Sequence, residues 1–188
     1  MTAVRVLALS GSLRRGSYNT ALLRAAAELA PPGVELDLYG GLRSVPPFDE
    51  DQENVTPPAV AELRAALAAA DALLVATPEY NFSIPGQLKN AIDWLSRPAG
   101  ANALRGKPAV VVGASTGMFG AVWAQAEVRK VLGATGARVI DTELAVRAAH
   151  EAFDRSGRLR EPGLSAQLAE IVAALGCKAR ERNRRSAA

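Results

Sequence analysis

Five short apolar runs recur along this chain, and each is followed by a segment of helical period. The runs predict strands over 4–10, 34–38, 72–77, 109–113 and 138–144. The segments between and after them predict helices over 19–29, 58–70, 85–96, 121–134 and 163–175. In the last helix Leu164, Leu168, Ile171, Val172 and Leu175 make a single apolar stripe. Strict strand–helix alternation implies right-handed βαβ units and a parallel sheet covered on both faces. Five of each element fit an α/β three-layer sandwich of the flavodoxin-like kind, a five-stranded parallel sheet in order 2-1-3-4-5. Its switch point lies between strands 1 and 3, so a ligand is expected at the turns that follow them.

Length and composition agree with one domain. A chain of 188 residues with 49% hydrophobic and 22% charged residues can bury a real core. The longest apolar run is broken by Asp71, which argues against a bilayer span. The chain starts directly on a strand-like pattern with no signal-peptide layout, and its one cysteine, Cys177, excludes an internal disulfide and a cysteine-based zinc site. A cytoplasmic protein is the expectation. The pI of 9.3 invites a nucleic-acid reading, but the excess is local. Residues 178–188 hold five basic residues against the single acid Glu181; without that excess of four charges the net +3 becomes −1. We therefore expect a single domain over 1–177 and a frayed basic tail over 178–188, with no sequence-specific nucleic-acid partner and no membrane partner. The long segment 39–57, with four acids and five glycines or prolines, reads equally as a solvated excursion or as a cover over a site or partner.

The first polar turn carries hydroxyls on Ser10, Ser12 and Ser17, the amide of Asn19, and the guanidinium groups of Arg14 and Arg15. It is neither a Walker loop nor a G-x-G-x-x-G turn, since Gly11 and Gly16 have the wrong spacing and no Gly-Lys-Ser/Thr follows. One such residue suffices to cap a helix. Four polar groups and two arginines at a helix N-terminus fit a terminal phosphate. The second turn, Pro78-Glu79-Tyr80-Asn81, offers an aromatic face and hydrogen-bonding groups for a heterocycle edge. The third, around Ser115, Thr116, Gly117 and Gly120, adds donors and room for close backbone approach. On the helix 85–96, Leu88, Ala91, Ile92 and Leu95 face inward, and Gln87, Asn90 and Trp94 are left for another surface. Together the three turns point to a flat, phosphorylated ligand.

At these turns the chain resembles the NADPH-dependent FMN reductase family of flavodoxin-like quinone, chromate and azo reductases. The stretches that carry the resemblance are GSLRRGSYN (11–19), PEYNFSIPGQLKNAIDWLSRP (78–98), GKPAVVVGASTGMFG (106–120) and AFDRSGRL (152–159), in family order. The resemblance implies FMN at the switch point. Its phosphate would lie on Ser10, Ser12, Arg14, Ser17 and Asn19; its ring would be bordered by Pro78, Glu79, Tyr80 and Asn81, with Ser115 and Gly117 on the far side. It also implies a homodimer or homotetramer with the helix 85–96 near the interface. Two positions depart from the family pattern: Trp123 stands where an arginine is usual, and Glu127 where a histidine is usual.

A flavin suits a chain with no evident acid–base machinery. The only histidine, His150, has Arg147 three residues before it, where a lipase-like hydrolase would have an Asp. No protein residue is expected to be catalytic, since the cofactor carries the chemistry. The expected reaction is hydride transfer from NADPH or NADH to FMN N5, followed by two-electron reduction of a small-molecule acceptor in a ping-pong sequence. Quinones, azo compounds, chromate and free flavin all qualify as acceptors. Backbone N–H groups near 79–81 are expected to stabilise the charge of the reduced ring. The alternatives are a non-enzymatic flavodoxin-type electron carrier, disfavoured by the near-neutral fold, and a flavin-free nucleotide-binding protein.

Overall fold

The computed structural model describes residues 3–186. The central sheet runs in the order β2-β1-β3-β4-β5, all parallel, formed by β1 (Val4–Ser10), β2 (Val34–Leu38), β3 (Ala72–Thr77), β4 (Pro108–Ala114) and β5 (Arg138–Val139). The expected flavodoxin-like order is therefore the one observed. The inner strands are apolar on both faces because both faces are covered. In β1, Val4, Val6 and Ala8 join one core, and Leu7 and Leu9 join the other.

Helices α1 (Tyr18–Glu28) and α6 (Pro162–Ser186) close the first core, together with Phe153, which follows the short α5 (Ala149–Ala152). Helices α2 (Pro58–Ala69), α3 (Gly86–Leu95) and α4 (Val122–Ala134) close the second. The pairing of Ser10 with Ala76 and of Thr77 with Gly113 brings the ends of β1, β3 and β4 level. The three turns that follow these strands therefore share one edge.

The structure departs from the sequence expectation in three places. The fifth strand is split: β5 ends at Val139, and a separate two-residue strand, β6 (Ala145–Val146), returns to β4 beside Gly113 and Ala114. The polar residues Asp141, Thr142 and Glu143 lie between them, and Thr142 N–H bonds back to the Ile140 carbonyl at 2.9 Å. The segment expected as a frayed tail is helical through Ser186; residues 187 and 188 lie outside the described residues. Ala179 is fully buried, the Arg180 guanidinium donates to the Gly33 carbonyl at 3.1 Å, and the Asn183 amide donates to Asp71 at 2.8 Å. Gly176 lets this helix sit on β2, since a Cβ there would lie 2.6 Å from Val34.

The third departure concerns α3. Trp94, Asn90 and Gln87 do not face a foreign surface, because the segment 39–57 folds back over them. The Trp94 indole is fully buried and donates to the Pro46 carbonyl at 2.9 Å. The Asn90 amide donates to the same carbonyl at 2.8 Å and accepts from Phe48 N–H at 2.6 Å. Gln87 donates to the carbonyls of Leu42 and Val45, both at 2.8 Å. The long segment is a pinned cover, and its anchors are the polar residues of α3.

Candidate active site

A cavity of about 260 Å3 opens where the three turns meet. Ser12, Arg14, Ser17, Tyr18 and Asn19 form one wall, Pro78, Glu79 and Tyr80 a second, and Ala114, Ser115 and Thr116 a third. Eight of the residues expected at the ligand are thus brought together: Ser12, Arg14, Ser17, Asn19, Pro78, Glu79, Tyr80 and Ser115. Ser10, Asn81 and Gly117 lie outside its lining.

The first turn has the donors that an anion needs. The backbone N–H groups of residues 13–19 meet no acceptor among the described residues. The Ser17 hydroxyl accepts from Thr20 N–H at 3.2 Å and so caps α1, placing the positive helix end at the cavity. Arg14 lies over the Tyr18 ring at 5.6 Å, and its Nη2 donates to the Gly16 carbonyl at 3.2 Å. A phosphate fits this cluster of unpaired donors and positive charge.

Several side chains have duties that the sequence did not reveal. Asn19 is buried; its amide donates to the Ala114 carbonyl and its oxygen accepts from Ala114 N–H, both at 2.9 Å. It locks the first turn to the end of β4, and its side chain is engaged there. Ser10 turns away, and its hydroxyl accepts from Thr20 Oγ1 at 3.0 Å. Glu79 reaches across the cleft to α4, where its Oε2 accepts from the N–H groups of Trp123 and Ala124 at 3.0 and 3.1 Å. Helix α4 has no side-chain cap of its own: Ala121, which precedes it in the left-handed region at φ 64°, carries no acceptor. Glu79 satisfies donors at that helix start from a neighbouring turn.

The tip of the second turn is a two-residue hairpin. Tyr80 and Ser83 exchange backbone hydrogen bonds at 3.2 and 3.1 Å, while Asn81 and Phe82 both have positive φ, 53° and 62°. The Tyr80 N–H is therefore taken by Ser83 and is not free for a ligand. Phe82 is 70% exposed, and its ring meets Trp123 edge-on at 5.3 Å; Phe119 meets the same indole at 4.8 Å. The other unusual residue, Glu127, accepts from the Ser83 hydroxyl. Both departures from the family pattern thus contact the second turn. In the third turn Gly120 has φ 61° and packs on Ala145, whereas Gly117 lies outside the left-handed region and donates to Ser115 Oγ at 3.1 Å. His150 is exposed and lies 3.4 Å from Glu151.

Known proteins similar to this chain are oxidoreductases. The chain is 46% identical over 158 residues to an NAD(P)H-dependent FMN reductase of Pseudomonas aeruginosa, covering 83% of this chain and 84% of that one. It is 39% identical to a quinone reductase of Escherichia coli over 131 residues, 69% of each chain. Among solved structures, the NAD(P)H:(acceptor) oxidoreductase FerB of Paracoccus denitrificans superposes with a TM-score of 0.87 at 33% identity, covering 96% of this chain and 99% of that one. Residues 4–151, which include all three turns, match the family described as NADPH-dependent FMN reductase, and the chain belongs to that family of oxidoreductases.

Proposed function

We propose that this chain is an FMN-dependent NAD(P)H oxidoreductase that reduces quinones and other flat two-electron acceptors. The observation that carries the reading is the run of unpaired N–H groups at 13–19, in a turn whose residues Arg14, Ser17, Tyr18 and Asn19 line a cavity walled by the turns after β3 and β4. Ser12, Ser17, Arg14 and the first-turn backbone would hold the FMN phosphate, with Pro78, Glu79, Tyr80 and Ser115 bordering the ring. Bound FMN supplies the hydride acceptor and the two-electron store that these side chains lack. The protein's part is positional: Asn19 ties the first turn to β4, and Glu79 ties the second turn to α4.

Quinones, azo compounds, chromate and free flavin are the proposed acceptors, reduced by a ping-pong route in which NAD(P)+ leaves before the acceptor enters. Tyr80, about half exposed, marks a site edge that an acceptor can approach. Ser83, next to the exposed Phe82, and Glu127, one turn after Trp123, line an open groove of about 680 Å3 between α3 and α4. That groove carries Lys89 and Lys130 with Asp93 and Glu127, a mixed-charge face that suits a second copy related by a two-fold axis. This face is our basis for reading the protein as a homodimer or homotetramer. The exposed free thiol of Cys177 fits a reducing compartment, the cytoplasm.

Steady-state turnover with both nicotinamides against a panel of a benzoquinone, an azo dye and chromate tests the reading. Parallel double-reciprocal lines with the quinone are expected. Intersecting lines contradict the ping-pong order, and no turnover with any acceptor contradicts the reductase.

A further inference from the structure

A second cavity, of about 350 Å3, lies on the opposite side of the first turn, between α1 and the segment that leaves β2. Its polar lining includes Ser10, Ser12, Thr20, Arg24 and Arg43, and no Asp or Glu contributes to it. Arg24 stands four residues after Thr20 on the same face of α1. Its guanidinium has no hydrogen-bond or ion-pair partner among the described residues. Arg43 gives one N–H to the Leu13 carbonyl at 2.6 Å. That bond holds the Arg43 head against the first turn and leaves its remaining donors available.

Two arginines beside hydroxyls, with no carboxylate to neutralise them, form a receptor for a phosphate monoester. Ser12 lines both this cavity and the candidate flavin cavity, so the two adjoin across one turn. We propose that this second cavity is a separate phosphate subsite and that it takes the 2′-phosphate of NADPH. The assignment rests on the reductase reading. A dinucleotide carries its nicotinamide and its 2′-phosphate at opposite ends, and the shared Ser12 sets the two cavities side by side for one molecule to bridge. The 2′-phosphate is the group that distinguishes NADPH from NADH, so this cavity sets the preference between them.

Calorimetric titration of the full chain with FMN added tests the assignment without turnover, using 2′,5′-ADP, ADP and inorganic phosphate as probes. The expected result is binding of 2′,5′-ADP about tenfold tighter than ADP. In the double variant Arg24→Gln/Arg43→Gln the advantage falls below about twofold, and the ratio of KM for NADPH to KM for NADH rises about tenfold. The double variant Arg24→Lys/Arg43→Lys retains part of the advantage, because charge remains while the planar fork is lost. Both substituted positions, Arg24 and Arg43, are exposed, and an unchanged melting temperature verifies that the variants fold. Equal affinity for ADP and 2′,5′-ADP overturns the proposal, as does a preference that survives in the glutamine variant. Arginine-dependent binding of inorganic phosphate with no 2′,5′-ADP advantage assigns the cavity to free phosphate and also overturns it. Failure of the reductase reading shows separately, as a flavin that neither nicotinamide reduces.

Discussion

The carboxylate of Glu79 accepts the backbone N–H of Trp123 across the mouth of the candidate flavin site, at 3.0 Å. One residue of the second turn thereby caps the helix that follows the third. Replacing Glu79 by Ala removes a cap and its favourable charge at the α4 N-terminus, and should cost about 1 kcal/mol of stability. Melting temperature should fall by roughly 2–4 °C, measured by differential scanning calorimetry. Glu79→Gln keeps an acceptor oxygen and should lose less.

The cover formed by 39–57 depends on Asn90, whose amide bonds both Pro46 and Phe48. Asn90→Ala leaves Phe48 N–H without its partner, while the Pro46 carbonyl keeps the Trp94 indole, at a cost of about 1–3 kcal/mol. Limited proteolysis should show faster cleavage within 39–57, with the rest of the chain still protected. Equal cleavage rates in the variant and the parent would show that the cover is held by its apolar contacts alone.

Phe82 combines a positive φ with 70% exposure, so the fold gains little from its side chain. Phe82→Gly places a glycine where the two-residue hairpin favours one, and should raise stability by about 0.5–1 kcal/mol. The same change should raise KM for an aromatic quinone several-fold, since the ring stands beside Trp123, two residues beyond the site-lining Tyr80. Denaturant unfolding and quinone kinetics on one variant give both numbers.

Lys107 is 2% exposed, and its ammonium donates to the carbonyls of Leu67, at 2.6 Å, and Ala70 at the end of α2. Burial, reinforced by the charge of Arg182 and partly offset by Asp71, pushes its pKa down to about 8. Between pH 8 and the ordinary lysine value of 10.5, the unfolded chain binds the extra proton, so this residue's contribution to stability rises with pH. Denaturant unfolding at pH 7.0, 8.5 and 10.0 should show the parent gaining about 2–3 kcal/mol relative to Lys107→Met across that window. A pH-independent difference would show that Lys107 keeps its charge throughout.

Much of the fold was legible because the inner strands are apolar on both faces and the turns between elements are polar. The split of β5 from β6 was not, since Asp141, Thr142 and Glu143 are ordinary edge residues by hydropathy. The last three turns of α6 were read as a tail because their composition is charged. What holds them is hydrogen bonding from Arg180 and Asn183 to groups remote in sequence. The same limit applied at the site. A density of hydroxyls marked the first turn, whereas the bond of Asn19 to Ala114 spans 95 residues and that of Glu79 to Trp123 spans 44. Polar side chains in a turn announce a ligand and a structural clamp in the same letters, and only the partner tells them apart.

The most direct measurement is anaerobic stopped-flow absorbance of the full chain loaded with FMN. Mixing with NADPH should bleach the oxidised flavin band within seconds, and a following mix with a benzoquinone should restore it in a two-electron step. An oxidised spectrum that persists for minutes with both NADPH and NADH would contradict the account.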